Sequence, residues 1–453
     1  MLCFNINLKI KGGMLMKENI KNVIAIGIAL SVMNSSIVPV FAAESTESLN
    51  ASKQTQSYNN NEENISISQG LQDTGNKKNL KLDDAIEAAI NNSDKLTLKS
   101  KQIKMYEDKM DLQEKTNDFY ESIGQKIYDY PYDKLELQEK QTEQSKDFME
   151  DQIASDITNK YNDMILKEID IEKSKRNLKL KNNDLNYLNG KLSLGMATPN
   201  QITDVQIEIK SLQDEITAKE DSLNNSKDYF KVLTDLDIKN TYKLDWDMNY
   251  IKFTIDGSVN EYIDDKIDKY LKYETEILKL TKDYMKDLKD DGIKNVMDEE
   301  ITAPDKSKFV TNDATGNSAF DSTSYALSLI DYQQKEQNKL NACEQYFNGK
   351  YNMEESQVKL DDSKKNLKNG LKESYSTLLD LENKIDRLKE QVISTNTKLR
   401  FAKAQVDMGL MLKNDYDEQV LASEDLDTTL RKIVYTHNNL RDSIEKPWIL
   451  NNQ

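Results

Sequence analysis

The chain has 453 residues, a formal net charge of -17, 31% charged residues and 37% hydrophobic residues. That is too polar for several compact globular domains, but it suits long amphipathic helices, which bury only a narrow stripe. The acidic balance excludes nucleic acid as a partner, since that requires a basic footprint, and it disfavours simple binding to anionic lipid surfaces.

The amino terminus reads as a secretory signal over residues 1–43. Lys17 and Lys21 supply the positive region, an apolar run follows from Val23 to Met33, and small residues at Ala42 and Ala43 offer cleavage before Glu44. The run is too short and interrupted for a membrane-spanning helix. Residues 1–15 are expected to lie upstream of the true start, at Met16 or Met14. Residues 44–79 are rich in Ser, Asn, Gln, Thr and Glu without apolar periodicity, and read as a disordered leader.

Order is expected from Leu80 and Leu82, a short extended segment. Asp83 or Asp84 then caps a helix running to about Tyr120. A second helix is predicted from about Leu135 to Leu194, with apolar residues at a strict spacing of seven: Ile157, Met164, Ile171, Leu178, Leu185 and Leu192. Such a repeat implies left-handed supercoiling against a partner helix. Five prolines and fourteen glycines leave long stretches without strong helix breakers. Gly195 and Pro199 form the stop signal. A return helix carries Ile202, Ile209, Ile216, Leu223 and Phe230, which makes an antiparallel hairpin.

The pattern then recurs. Leu371, Leu378, Ile385, Val392, Leu399 and Val406 each lie 214 residues beyond their counterparts, and this stripe also ends three residues before a glycine, Gly409. The second return helix uses Leu426, Leu430, Ile433, Leu440 and Ile444. The chain is therefore read as a first repeat over 80–240, a second over 241–447 and a tail over 448–453. An insertion over 292–347 ends in an extra helix reaching about Phe347. Leu244, Trp246, Met248, Ile251 and Phe253 are candidates for short strands between the repeats. The fold class is all-α: two tandem long antiparallel coiled-coil hairpins with little β structure.

This duplicated unit resembles the TolC family of outer-membrane efflux ducts over roughly residues 79–445. The opening Leu80-Lys81-Leu82-Asp83-Asp84-Ala85-Ile86 resembles the family's unit start. Leu192-Ser193-Leu194-Gly195-Met196-Ala197-Thr198 resembles its hairpin tip, and Ile202-Thr203-Asp204-Val205-Gln206 the first turn of its return helix. The resemblance implies a homotrimer whose hairpins curve into a hollow cylinder. It also implies a membrane-fusion-type adaptor joined to an inner-membrane ABC or proton-driven pump. By position, Gly195, Met196, Ala197, Thr198, Gly409, Leu410 and Met411 would face the adaptor. Asp204, Asp415, Asp417 and Glu418 would ring the tunnel mouth; helix capping and a favourable charge at a helix amino terminus explain the same acids equally simply.

Family members with a membrane barrel place two strands between the leading and long helices of each unit. A crossing strand needs about nine to eleven residues. The connector over 122–134 cannot hold two, and Asp298, Glu299, Glu300, Asp305, Lys306 and Lys308 deny the second an apolar alternation. The barrel is therefore expected to be reduced or absent. The expected location is the cell envelope: the outer membrane where there is one, otherwise the cell surface or wall. The competing reading is an exported coiled-coil structural or regulatory protein of the cell surface.

Other residues carry less. Tyr128, Tyr130 and Tyr132 around Pro131 read either as an aromatic tip for membrane or wall polymer, or as an ordinary turn between helices. His437, the single histidine, matches Leu223 by the 214 offset and falls on the packed seam as a structural residue. Cys343 reads as an ordinary small helix residue. No phosphate loop, zinc spacing or nucleophile motif is present, so no enzyme, cofactor or metal site is expected.

Overall fold

The computed structural model of the chain describes residues 77–312 and 318–452. The signal segment, the alternative starts and the leader up to residue 76 lie outside the described residues. The elements are β1 (Lys78–Leu80), α1 (Leu82–Asn91), α2 (Asp94–Ser122), α3 (Tyr130–Ser193), α4 (Pro199–Thr234), β2 (Tyr242–Leu244), α5 (Val259–Tyr270), α6 (Lys272–Asp290), α7 (Ile293–Asp298), β3 (Val310–Asn312), β4 (Ser318–Phe320), α8 (Ser322–Asp407) and α9 (Lys413–Glu445). Single 3-10 turns follow at Lys306–Phe309 and Pro447–Asn452. Two compact units form, and both repeats contribute to each. Of the described residues, one comprises Ser100–Gln144 and Leu271–Lys364; the other comprises 77–99, Ser145–Tyr270 and 365–452.

The second unit contains both hairpins. On α3, Ile157, Met164 and Ile171 are buried against Leu223 and Phe230 of α4. In the other hairpin Leu371, Leu378 and Ile385 are fully buried, and Ile385 packs on Leu430 and Val434 of α9. The hairpins are joined by polar contacts that fix their order. Asp151 accepts from Lys446 at 2.6 Å, Asn159 meets Asn439, Arg176 reaches Glu424 at 2.8 Å, and Asn414 reaches Asp184. Numbers rise on α3 as they fall on α9, so these helices are antiparallel and the side-by-side order is α4–α3–α9–α8.

The open ends of the hairpins are closed by short elements. β1 and β2 pair in parallel, Lys78 with Tyr242 and Leu80 with Leu244, so residues 78 and 79 belong to a strand and not to the leader. The buried Tyr161 hydroxyl donates to Leu80 O at 2.6 Å and accepts from the Asp245 N–H at 2.7 Å. Of the residues expected in short strands between the repeats, Leu244 lies in β2 and the segment from Trp246 to Phe253 forms none; side chains of α8 and α9 hold parts of its backbone instead. Arg431 donates to Trp246 O, Asn438 to Asn249 O, and Glu382 accepts from the Phe253 N–H. The segment expected as a tail packs: Trp448 stacks on Phe148 at 4.1 Å between centroids, and its indole N–H donates to Asp151 at 2.8 Å.

The leading helix is broken in two. The Asn92 side chain donates to the Val232 and Leu233 carbonyls at the end of α4, while Ser93 Oγ accepts from the Leu96 N–H at the start of α2. The cap of α1 is Lys81, which makes no side-chain capping bond; Asp83 and Asp84 lie in the first turn instead. There they favour the positive end of the helix dipole.

The first unit is made of helices side by side. Tyr132 of α3 lies beside Glu114 and Asp111 of α2, and Glu139 beside Glu107, an antiparallel pairing. Tyr130 stacks on Tyr284 of α6 with centroids 4.1 Å apart, and Gln141 donates to Glu274 at 3.0 Å. Tyr284, Met285 and Leu288 pack on Ala342, Cys343 and Tyr346 of α8, and Lys282 donates to Gln357. The order is therefore α2–α3–α6–α8, each helix antiparallel to the next. Tyr128 and Tyr130 are core residues here, so the turn between α2 and α3 is packed inward and presents neither ring as an aromatic tip. Cys343 is an ordinary buried helix residue, as expected.

Two boundaries move for physical reasons. α3 begins at Tyr130 because Pro131 falls in the first turn, where a missing N–H costs nothing. The extra helix does not end at Phe347 but continues as one 86-residue helix. No proline interrupts it, and the Asp321 carboxylate starts it by accepting from the Ser324 N–H and hydroxyl. In the insertion, β3 and β4 form an antiparallel pair of three residues each. Among the described residues these strands are far too short to cross a membrane, and no closed barrel is present.

Lys134 is 1% exposed, with its ammonium 5.7 Å from the centre of the Tyr130 ring. Burial pushes its pKa down to about 8. Below that pH the fold holds a charge it disfavours, and between about 8 and the ordinary lysine value the unfolded chain alone binds the proton, so stability rises with pH. The urea midpoint of the wild type should therefore rise between pH 8 and pH 10, and Lys134→Met should lose that rise. Separately, Tyr161→Phe should cost about 1–3 kcal/mol in urea unfolding, because it deprives a buried carbonyl and N–H of a partner.

Candidate functional site: the two hairpin turns

Gly195 and Gly409 both take left-handed backbone, with φ of 69° and 74°. Each ends its helix with the same pair of bonds. The Gly195 N–H reaches Leu192 O at 2.9 Å and the Met196 N–H reaches Lys191 O at 2.8 Å. The Gly409 N–H reaches Val406 O at 2.9 Å and the Leu410 N–H reaches Gln405 O at 2.8 Å. This is a Schellman ending, in which the residue after the glycine ordinarily makes an apolar contact with the residue that accepts its N–H. Here those acceptors are Lys191 and Gln405. Met196 and Leu410 stand 71% and 75% exposed.

The starts of the return helices differ. Thr198 caps α4 through a reciprocal pair with Gln201, and Pro199 occupies the first helical position. Leu412 caps α9 with no side-chain bond. The seven expected contact residues all lie at the turns, with Ala197 and Met411 partly covered and Thr198 exposed. Leu194, Met408 and Leu412, also exposed there, extend the apolar set. Their signal in the sequence was an apolar residue flanking the glycine after the heptad stripe had ended.

The four acidic residues are not gathered into one site by a single chain. Asp417 pairs with Lys413 at 3.3 Å. Glu418 faces Lys181, whose pKa is raised first by its hydrogen bond to Glu208 and further by Asp184 and Glu418. Asp415 sits in the first turn of α9, where an acid is favourable, and Asp204 is exposed on α4. Among the described residues no group of three or more His, Cys, Asp or Glu side chains could hold a metal ion.

His437 lies at the packed seam, fully buried. Its Nε2 is 3.2 Å from Glu382 Oε1 and its Nδ1 3.2 Å from Asn438 Oδ1. The Tyr250 ring lies edge-on at 5.0 Å between centroids. Glu382 also holds the Phe253 N–H and Asn438 the Asn249 carbonyl, so the histidine belongs to the fastening between α8, α9 and the segment that joins the repeats.

No protein-family model and no curated protein matches the chain. Solved structures are similar to it. The outer membrane protein VceC of Vibrio cholerae is 12% identical, over 82% of this chain and 95% of that one, with a TM-score of 0.46. The CmeC outer membrane channel of Campylobacter jejuni is 12% identical over 87% and 94%, with a TM-score of 0.46. CusC is 10% identical over 81% and 91%, also at 0.46. TM-scores below 0.5 leave the fold to the helices and turns described above.

A Cβ at Gly195 would meet nothing within 4 Å, so Gly195→Ala should cost only the left-handed backbone penalty, about 1–2 kcal/mol. Leu412→Ser, which supplies the missing cap, should stabilise α9 by about 1 kcal/mol. Urea unfolding combined with hydrogen exchange at the turn amides checks both signs.

Proposed function

We propose that the chain is an exported wall subunit of a TolC-like conduit, working as a homotrimer that conveys substrates across the cell envelope. Its hairpin turns dock a membrane-fusion-type adaptor, which couples it to an inner-membrane ABC or proton-driven pump. The observation that carries this reading is the pair of equivalent glycine turns, 214 residues apart, each presenting exposed apolar side chains. A spacer needs neither the duplication nor apolar turns, whereas a docking partner would cover both. The acidic residues beyond the turns would then approach one another between copies and bias the mouth toward cations. The role is one of passage, with no catalytic step.

A second reading, an exported coiled-coil structural or regulatory protein of the cell surface, is favoured by one observation: three-residue strands occupy the place where crossing strands would be needed. Export separates the two. In cells lacking the gene, accumulation of a panel of fluorescent dyes and the secreted protein profile should change, and the wild-type gene should restore them. The double variant Gly195→Val/Gly409→Val, present at wild-type levels, should fail to do so. Full restoration by that variant overturns the conduit and leaves the surface protein.

A further inference from the structure

His437 and Glu382 lie deep in the seam of the second hairpin, 0% and 4% exposed, and the hydrogen bonds around the imidazole decide its protonation. Asn438 donates from Nδ2 to Asn249 O at 2.9 Å, so its Oδ1 is the atom turned to His437 Nδ1 at 3.2 Å. Glu382 Oε1 accepts from the Phe253 N–H at 2.8 Å and stands 3.2 Å from His437 Nε2. An acceptor therefore faces each ring nitrogen. A neutral imidazole donates from one nitrogen only, whereas imidazolium donates from both. A carboxylate held out of water also calls for a positive partner.

The first repeat supplies a comparison within the same chain. By the 214 offset Glu382 corresponds to Glu168, and His437 to Leu223. Glu168 accepts from Lys227 at 2.7 Å and from the Trp246 indole N–H at 3.0 Å. One glutamate from each repeat thus holds one end of the joining segment. At the Trp246 end the positive partner is a lysine, a residue type that ordinarily keeps its charge beyond pH 9. At the Phe253 end it is a histidine, the residue type that changes charge between pH 5 and 8. We propose that His437 and Glu382 form a proton-operated clasp on residues 249–253, closed while the ring carries both protons and opening as pH rises, while the Trp246 end stays fastened. The clasp does not depend on the conduit reading.

The other charged and titratable groups around the ring are already engaged. On α8, Asp386 pairs with Lys252 of the joining segment at 3.2 Å, and the Lys389 ammonium lies 4.6 Å from the centre of the Tyr250 ring. On α9, Arg431 donates to Trp246 O and to the Tyr435 hydroxyl, and Arg441 pairs with Asp442. On α3, the pairs Asn159–Asn439 and Arg176–Glu424 bring Tyr161 level with His437, and its hydroxyl is held by Leu80 O and the Asp245 N–H. Beside it, Lys160 lies over the Tyr229 ring and Asp163 pairs with Lys167. Taking either proton from the imidazole therefore leaves Glu382 or Asn438 before a bare nitrogen. The closed segment carries a burden as well: the Tyr250 hydroxyl, whose ring stands edge-on to the imidazole, is buried without a hydrogen-bond partner, and opening returns it to water. A segment loaded in this way can be tipped by one charge.

His437 is the single histidine, so nitrogen-15 labelling of histidine in the whole chain reads this ring alone by NMR. At pH 5.5 both ring nitrogens should carry protons, and by pH 8.5 one of them should be bare. Over the same range, hydrogen exchange at the Phe253 amide, corrected for the intrinsic effect of pH, should accelerate by about tenfold or more, since one proton shifts an opening equilibrium by up to about tenfold per pH unit. The Asp245 amide, held by the Tyr161 hydroxyl, should keep its protection. Glu382→Gln retains an acceptor for the Phe253 N–H and should abolish the pH dependence. Four results overturn the inference: a ring that keeps one protonation state throughout, equal protection of Phe253 at both pH values, loss of protection at both amides together, or a pH dependence that persists in Glu382→Gln.

Discussion

A long helix cannot bury itself, and a helix with apolar residues on two faces needs two neighbours. This constraint governs the whole molecule. Burial is complete where a neighbour exists, as at Ile157 and Met164 or at Leu378 and Ile385. It is partial further along the same stripes, at Leu185 and Leu192 and at Leu399 and Val406. The seven-residue spacing holds over the full stripe although one chain covers only part of it.

Apolar stripes alone would let antiparallel helices slide by a heptad. The register is set by polar side chains that fit one way only: Arg176 with Glu424, Asn159 with Asn439, and Lys446 with Asp151. Exposed pairs of this kind contribute little to stability, so their value lies in excluding other registers. The buried His437 and Glu382 and the half-buried Asn438 act similarly on a segment without secondary structure, because each takes a backbone group or a neighbour that does. A hydrophobic replacement of similar volume would pack as well and leave the joining segment unheld.

What could be read from the residues followed from periodicity and from backbone chemistry. The heptads, the 214-residue repeat, the glycine turns and the seam position of His437 all depend on local spacing, which one sequence contains. The break at Asn92 was hidden because it depends on carbonyls of Val232 and Leu233, 140 residues away. The burial of Tyr128 and Tyr130 depends on α6, and that of Trp448 on Phe148 and Asp151. Lys134 was silent for the same reason: nothing in its neighbours along the chain announces a buried ammonium. At the turns the local chemistry was legible, but the acidic residues beyond them are not brought together within one chain, and so no single-chain feature marks a mouth.

Cys343, the one cysteine beyond Cys3, sits between Ala342 and the core side of Tyr346, and burial pushes its thiol pKa up, away from the reactive thiolate. The fold therefore draws nothing from sulfur chemistry. Such a chain can mature in an envelope that has no enzymes for oxidative folding, keeps its shape when the surroundings turn reducing, and presents no ready thiol for accidental cross-linking as copies crowd together. Its shape rests on helix packing.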